Sequence, residues 1–239
     1  MAGEPPDFER QWQAKLARAI EAAAGGTVSA KVTAGGEELS SQSSPERIVE
    51  WSRGAMDRLT AEVGRSRAGA ILTACACRYP ETELQTMRKK YLETGEVDAA
   101  RGMLQAGFET MLRRTLKLPE GKIAEVVRRG WGPAGVRAGR VITATKIPHS
   151  ENLAAYLDEP DPIRRRALYC HCPRVQGAAA RGEKLPGVYC YCGAGYYRAI
   201  WETILRQPVE VELLESVLQG GDVCRVAIRL PAGTPGTEP

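Results

Sequence analysis

Apolar residues recur every three or four positions along most of the first 130 residues, which is the spacing of helices that bury one face. One such run extends from Asp7 to Ala24. A second begins at Ser44 and Pro45, where serine is a favourable cap and proline fits the first helical turn. The same spacing predicts further helices at 68–74, from Pro80, at 98–116 and at 119–129.

Strand-like patterns become frequent after a turn-rich break at Gly130–Gly135. The first half of Val209–Val217 alternates apolar with acidic residues, and the turn at Gln219–Asp222 would pair it with Val223–Leu230 in a hairpin. Further strands are expected at 141–147 and, within the Gly- and Ser-rich segment 27–43, at 28–32; helices are expected at 150–157 and 194–206. We therefore predict an α+β fold, in which a mainly helical region (1–130) packs against a small antiparallel sheet with helices (131–239).

Composition narrows the class of protein. The chain has 239 residues, of which 43% are hydrophobic and 26% are charged, as in soluble globular proteins. Its net charge of +4 is too small and scattered to predict a nucleic-acid surface, and the run Arg164–Arg166 gives only a local basic patch. No apolar run reaches the roughly 18 residues needed to cross a membrane. The acidic, proline-bearing start Met1–Asp7 does not resemble a signal peptide, so we expect a cytoplasmic protein. Oligomeric state is left open.

The cysteines are the most informative feature of the composition. Six of the seven form three Cys-x-Cys pairs, and Cys224 stands alone; the pairs are Cys75/Cys77, Cys170/Cys172 and Cys190/Cys192. A disulfide framework is not expected in a reducing compartment. Closely spaced thiols instead suit soft metal ions, iron–sulfur clusters or thiol redox chemistry.

The later two pairs predict a shared metal site. We expect Ala167–Cys172 and Val188–Cys192 to form short strands, in which residues two apart point to the same face. Two such strands side by side would bring together four sulfurs, and the 17 residues between Cys172 and Cys190 match the linker of a four-cysteine zinc site. Cys170, Cys172, Cys190 and Cys192 are therefore the predicted zinc ligands, and the alternative is that they are small buried apolar residues.

The remaining cysteines are candidate cofactor ligands. Cys75 and Cys77 follow a helix, and one of them would complete an iron–sulfur cluster, which is the alternative cofactor. Cys224 lies in an expected strand, where a core role and a ligand role are both open. Cys192 precedes a helix, whose positive end would favour its thiolate form.

The two histidines are the candidate catalytic residues. His149 is a candidate general base. His171 lies between two cysteines and would point away from their sulfurs on a strand, so a surface position is its alternative role.

The C-terminal segment resembles known families. Gly195-Tyr196-Tyr197, Pro208–Glu212, Glu215-Ser216 and Gly220–Ile228 are similar to 4-vinyl reductase-type domains and to the L-2-amino-thiazoline-4-carboxylic acid hydrolase family. The resemblance covers about the last 70 residues and implies helices over an antiparallel sheet around a small-molecule pocket. Gly221, Asp222 and Cys224 match the late hairpin of these families, whereas Val226 replaces their usual aromatic residue.

Three functions follow from these features. The first is a cysteine-ligated zinc protein that binds or acts on a small molecule, where a zinc-bound water would hydrolyse a C–N or C–S bond. The second is an iron–sulfur redox protein. The third is a non-enzymatic sensor of a metal or small molecule. A small-molecule partner is expected in each case, and neither nucleic acid nor a membrane is.

Overall fold

The computed structural model describes residues 7–234, and the predicted α+β fold is confirmed. Its helices are α1 (Phe8–Ala24), α2 (Gly26–Thr33), α3 (Pro45–Val63), α4 (Arg65–Thr73), α5 (Glu81–Thr94), α6 (Val97–Arg114), α7 (Glu120–Arg128), α8 (Leu153–Asp158), α9 (Pro162–Tyr169), α10 (Gln176–Ala180) and α11 (Tyr191–Leu205). Its strands are β1 (Val136–Ala138), β2 (Val141–Thr145), β3 (Glu210–Glu215) and β4 (Arg225–Arg229). Within residues 7–234, 3₁₀ turns cover Ser150–Asn152, Gly187–Cys190 and Val217–Gln219. The start Met1–Pro6, which entered the prediction of location, lies outside this range.

The N-terminal helices begin where their capping residues predict. The Asp7 carboxylate accepts the backbone N–H of Arg10 at the start of α1, and the Ser44 hydroxyl accepts that of Arg47 at the start of α3. The strand expected at 28–32 is wrong, because this segment is α2. Val32 is fully buried there, and Gly25 turns the chain between α1 and α2 with a φ of 90°.

The sheet has the strand order β1-β2-β4-β3, with antiparallel neighbours throughout. The expected hairpin of β3 and β4 is confirmed, and β2 pairs with the other side of β4, so that Ile142 lies opposite Ile228. Helix α11 covers the apolar face of the sheet with Ile200 and Trp201, both fully buried. No helix among residues 7–234 is both long and apolar enough to cross a membrane.

The two cysteine-bearing segments are not strands, so both of those predictions are wrong. Ala167–Tyr169 is the end of α9, a helix that Asp161 caps and Pro162 begins, and Cys170 follows its last residue. Val188–Cys190 lies in a 3₁₀ turn that runs directly into α11, whose second residue is Cys192. Alternation over only three residues does not distinguish a strand from a helix end, whereas the Asp-Pro cap of α9 does.

Candidate functional site

The cysteine sulfurs come together at the ends of helices. Cys170 and Cys172 follow α9, Cys190 and Cys192 lie at the start of α11, and Cys224 precedes β4. The charges of Cys170, Cys172 and Cys224 all act on the Cys190 thiol, which places these four groups in one neighbourhood, and Cys172 likewise acts on Cys192. We call these five residues the thiol cluster. All five are free thiols.

The first cysteine pair lies beside the thiol cluster. Cys75 and Cys77 follow the last turn of α4, and the charges of Cys75 and Cys192 interact. Cys77 is exposed and also acts on Cys192. The structure therefore brings Cys75 and Cys77 towards the cluster through Cys192.

N–H groups act on three of the sulfurs. The Trp12 indole nitrogen donates to Cys192 over 3.5 Å, and because an indole nitrogen can only donate, this sulfur is the acceptor. The backbone N–H groups of Cys172 and Val217 lower the pKa of Cys170 and Cys224, respectively, against the larger effect of burial.

Hydroxyl groups lie within hydrogen-bond distance of the sulfurs of Cys190 and Cys172. The buried Ser216 hydroxyl lies 2.9 Å from the Cys190 sulfur, and its oxygen accepts the backbone N–H of Leu218. The Tyr189 hydroxyl lies 3.4 Å from the Cys172 sulfur. Cys172, Cys190 and Cys192 thus each have a side-chain hydrogen-bonding partner.

A buried arginine holds the aromatic partners in place. Arg174 is 4% exposed and forms two 2.6 Å bonds to the Glu9 carboxylate. It donates to the Tyr189 hydroxyl over 2.8 Å, and its guanidinium carbon lies 3.6 Å from the centre of the Trp12 ring. Sequence reasoning missed this residue, because a basic residue in a polar connection gives no signal of burial.

Lys146 brings a second positive charge to the cluster. It directly follows β2, and its charge lowers the pKa of Cys170, Cys192 and Cys224 against the larger effect of burial. A Cβ atom built on Gly193 would lie 3.3 Å from the ammonium nitrogen of Lys146. The absence of a side chain at Gly193 therefore leaves room for the ammonium group. In the part of the chain that the structure describes, this ammonium forms no ion pair.

Burial makes the thiols weak acids. Loss of hydration raises the pKa of Cys170 to about 12, that of Cys192 to about 11 and that of Cys75 to about 12, and it holds that of Cys190 well above its usual value. The pKa of Cys192 is therefore raised and not lowered at the start of α11, because desolvation outweighs the hydrogen bond from Trp12 and the charge of Lys146. Holding these sulfurs as thiolates therefore requires further positive charge.

The two histidines lie together on the Lys146 side of the cluster. The His171 Nδ1 lies 3.2 Å from the carbonyl oxygen of Ile147 and must carry the proton, since a carbonyl only accepts. Burial and the charge of Lys146 lower the pKa of His171 to about 4, so the ring is neutral. The ring of His149 lies 5.8 Å away, and its buried Nδ1 lacks a partner among the described residues. The catalytic role of either histidine remains a prediction.

The sulfurs are close but not in the geometry of a single ion site. Within residues 7–234, no three Cys, His, Asp or Glu side chains come close enough together to hold a metal ion. The predicted zinc ligands Cys170, Cys172, Cys190 and Cys192 thus share a neighbourhood without forming a coordination shell.

A surface cleft of about 660 Å³ lies between the start of α3 and helices α9 and α10. Leu168 and Pro173, on either side of the Cys170–Cys172 segment, line it together with Arg164 and Arg181. None of its lining residues is a cysteine, so the cleft adjoins the thiol cluster without opening onto its sulfurs.

Comparison with known protein families gives a match to part of the chain. Residues 154–233 are similar to a family of unknown function, DUF6144. No curated protein and no solved structure matches the chain. The matched segment contains all five residues of the thiol cluster, whereas Cys75, Cys77 and Lys146 lie outside it. The resemblance to 4-vinyl reductase-type domains and to the thiazoline hydrolase family remains a prediction.

Proposed function

We propose that the thiol cluster (Cys170, Cys172, Cys190, Cys192 and Cys224) binds a soft metal centre. The observation that carries this proposal is the convergence of hydrogen-bonding groups on the sulfurs: the Trp12 indole N–H, which cannot accept, donates to Cys192, and the Tyr189 and Ser216 hydroxyls lie within hydrogen-bond distance of Cys172 and Cys190. A neutral thiol is a weak acceptor, whereas a metal-bound thiolate accepts such bonds strongly. Hydrogen bonds to the sulfurs are also a recurring feature of iron–sulfur proteins.

The charges around the cluster support the same proposal. Several thiolates in one partly buried place are tolerated only with compensating positive charge. Lys146 supplies one positive charge that acts on Cys170, Cys192 and Cys224, and a bound metal would supply the remaining positive charge.

The spacing of the sulfurs bears on the kind of centre. A single zinc ion needs four ligands at about 2.3 Å from the metal, so its sulfurs must lie in mutual contact. A cluster of several irons and sulfides bridges sulfurs that are further apart. The two kinds of centre therefore differ in the separation of the sulfurs that they need, and metal analysis distinguishes them.

Metal analysis of protein purified without oxygen tests the proposal. We expect bound metal in the wild type, with iron, acid-labile sulfide and a brown colour for a cluster or zinc alone for a single ion. The variants C170S and C190S should lose it, while C77S, which removes an exposed thiol outside the cluster, should keep it. Metal-free wild-type protein that remains metal-free after addition of zinc, or of iron with sulfide, would show the proposal to be wrong. So would metal retained in full by C170S and C190S.

A further inference from the structure

Arg174 contacts two aromatic side chains, each of which lies within hydrogen-bond distance of a cysteine sulfur. Its guanidinium donates to the Tyr189 hydroxyl and stacks on the Trp12 ring. Tyr189 reaches Cys172, and Trp12 reaches Cys192. One buried cation is therefore connected to two sulfurs that come from different segments of the chain.

The bond from Arg174 constrains the Tyr189 hydroxyl. Arginine has only donors, so its 2.8 Å bond occupies a lone pair of the tyrosine oxygen. The Cys172 sulfur lies 3.4 Å from the same oxygen. A metal-bound thiolate has no proton to donate, so with the metal bound the hydroxyl donates and Cys172 accepts.

The contact of Arg174 with Trp12 also strengthens a hydrogen bond to sulfur. A guanidinium 3.6 Å from the ring centre draws electron density from the indole. The indole N–H becomes a stronger donor to Cys192, 3.5 Å from its nitrogen. Both paths withdraw electron density from sulfur.

Arg174 is held so firmly that it can act on two partners at once. The Glu9 carboxylate bonds to two of its nitrogens, and the Ser52 hydroxyl accepts a third bond at 3.2 Å. Both charged side chains are almost fully buried, which is costly for an ion pair that serves packing alone.

We propose that Arg174 is a positioning residue that sets the electron density of the metal-bound sulfurs of Cys172 and Cys192, acting through Tyr189 and Trp12. This inference rests on the proposed metal centre. Donation to a thiolate lowers the energy of its lone pairs, so it should tighten the hold on a soft metal against protonation and move sulfur-to-metal charge transfer to higher energy.

Cadmium titration of the metal-free full-length protein tests this inference, with the sulfur-to-cadmium absorption band as the readout. Y189F keeps the ring and removes only the hydroxyl. It should weaken cadmium binding roughly tenfold, the usual effect of losing a hydrogen bond to a charged group, and shift the band to longer wavelength. W12F should cause a smaller shift in the same direction. The control Y156F removes the hydroxyl of a buried tyrosine that forms no hydrogen bond with a sulfur among the described residues, so it should leave both quantities unchanged.

The role of Arg174 itself is tested by combining variants. R174K keeps a positive charge but loses the planar fork, and adding Y189F to it should cause little further loss, because both changes break the same path. If R174K does not fold, Y189F and W12F still decide the outcome. If the wild type binds cadmium and neither Y189F nor W12F changes the affinity or the band position, the role of Arg174 is overturned and the proposed metal centre still stands. Absence of cadmium binding by the wild type would overturn the proposed metal centre together with it.

Discussion

Gly195 and Thr73 touch through their backbones. A Cβ atom built on Gly195 would lie 2.0 Å from the carbonyl oxygen of Thr73, far inside van der Waals contact. Gly195 lies in α11, which begins beside Cys190 and Cys192, and Thr73 is the last residue of α4. This crossing holds the two cysteine-bearing helix ends together.

Replacing Gly195 with alanine should therefore destabilise the fold, although alanine is the better helix former. The methyl group meets backbone rather than a movable side chain, so the helices must separate, and we expect a loss of about 3 kcal/mol in the free energy of unfolding. Urea denaturation measures this loss. The matched control is G102A in α6, where a Cβ meets nothing within 4 Å, and it should stabilise the protein by about 0.5 to 1 kcal/mol. Equal stability of the two variants would contradict the close crossing.

A second prediction concerns the buried ion pair of Glu9 and Arg174. E9Q leaves the guanidinium buried without its countercharge, and we expect it to cost about 3 to 5 kcal/mol in the free energy of unfolding. The control E46Q removes a carboxylate that pairs with Arg181 at the surface, and its cost should stay below about 1 kcal/mol. Chemical denaturation of both variants makes the comparison. A small cost for E9Q would mean that this pair contributes little to stability.

Local signals in the sequence predicted the hairpin and most of the long helices, but not α2 or α9. Asp7 and Ser44 mark helix starts because a cap acts within one turn of the chain. The β3–β4 hairpin follows from alternation and a glycine turn, which are equally local. The cysteine strands failed because a three-residue Cys-x-Cys pattern carries too little periodicity to outweigh the Asp161–Pro162 helix start.

The candidate site was predicted only in part, and for a mistaken reason. The sulfurs of Cys170, Cys172, Cys190 and Cys192 do gather, but at helix ends rather than on paired strands. The partners of these sulfurs come from distant parts of the chain. Arg174 meets Glu9 across 165 positions, and no pattern in a single sequence reports such a contact. Ser216 was noted only within a family resemblance, without its role as a partner of sulfur.

Removal of the Ser216 hydroxyl should affect the metal centre more than other losses of a buried hydroxyl. S216A removes the hydroxyl that lies 2.9 Å from the Cys190 sulfur and should lower stability by about 1 to 2 kcal/mol, with a reduced metal content. The control S29A removes a buried hydroxyl that donates to the Ala17 carbonyl, far from any sulfur. It should cost similar stability and leave the metal content unchanged. Denaturation and elemental analysis of the two variants separate a role at the sulfurs from general packing.

The ammonium of Lys146 should control how firmly an anionic metal centre is retained. K146Q removes the positive charge that acts on Cys170, Cys192 and Cys224. The Coulomb energy between one such charge and an anionic centre near the protein surface corresponds to about a tenfold change in metal affinity. We therefore expect metal transfer to an external chelator to be about tenfold faster than in the wild type, and K146R to restore most of the retention. Lys184 provides the control, since it is exposed and does not contribute to the pKa shifts of these thiols, so K184Q should leave the rate unchanged. The same transfer rate in K146Q and the wild type would mean that the countercharge of the sulfurs comes from elsewhere, and the arrangement of Gly193 around the ammonium would then serve packing alone.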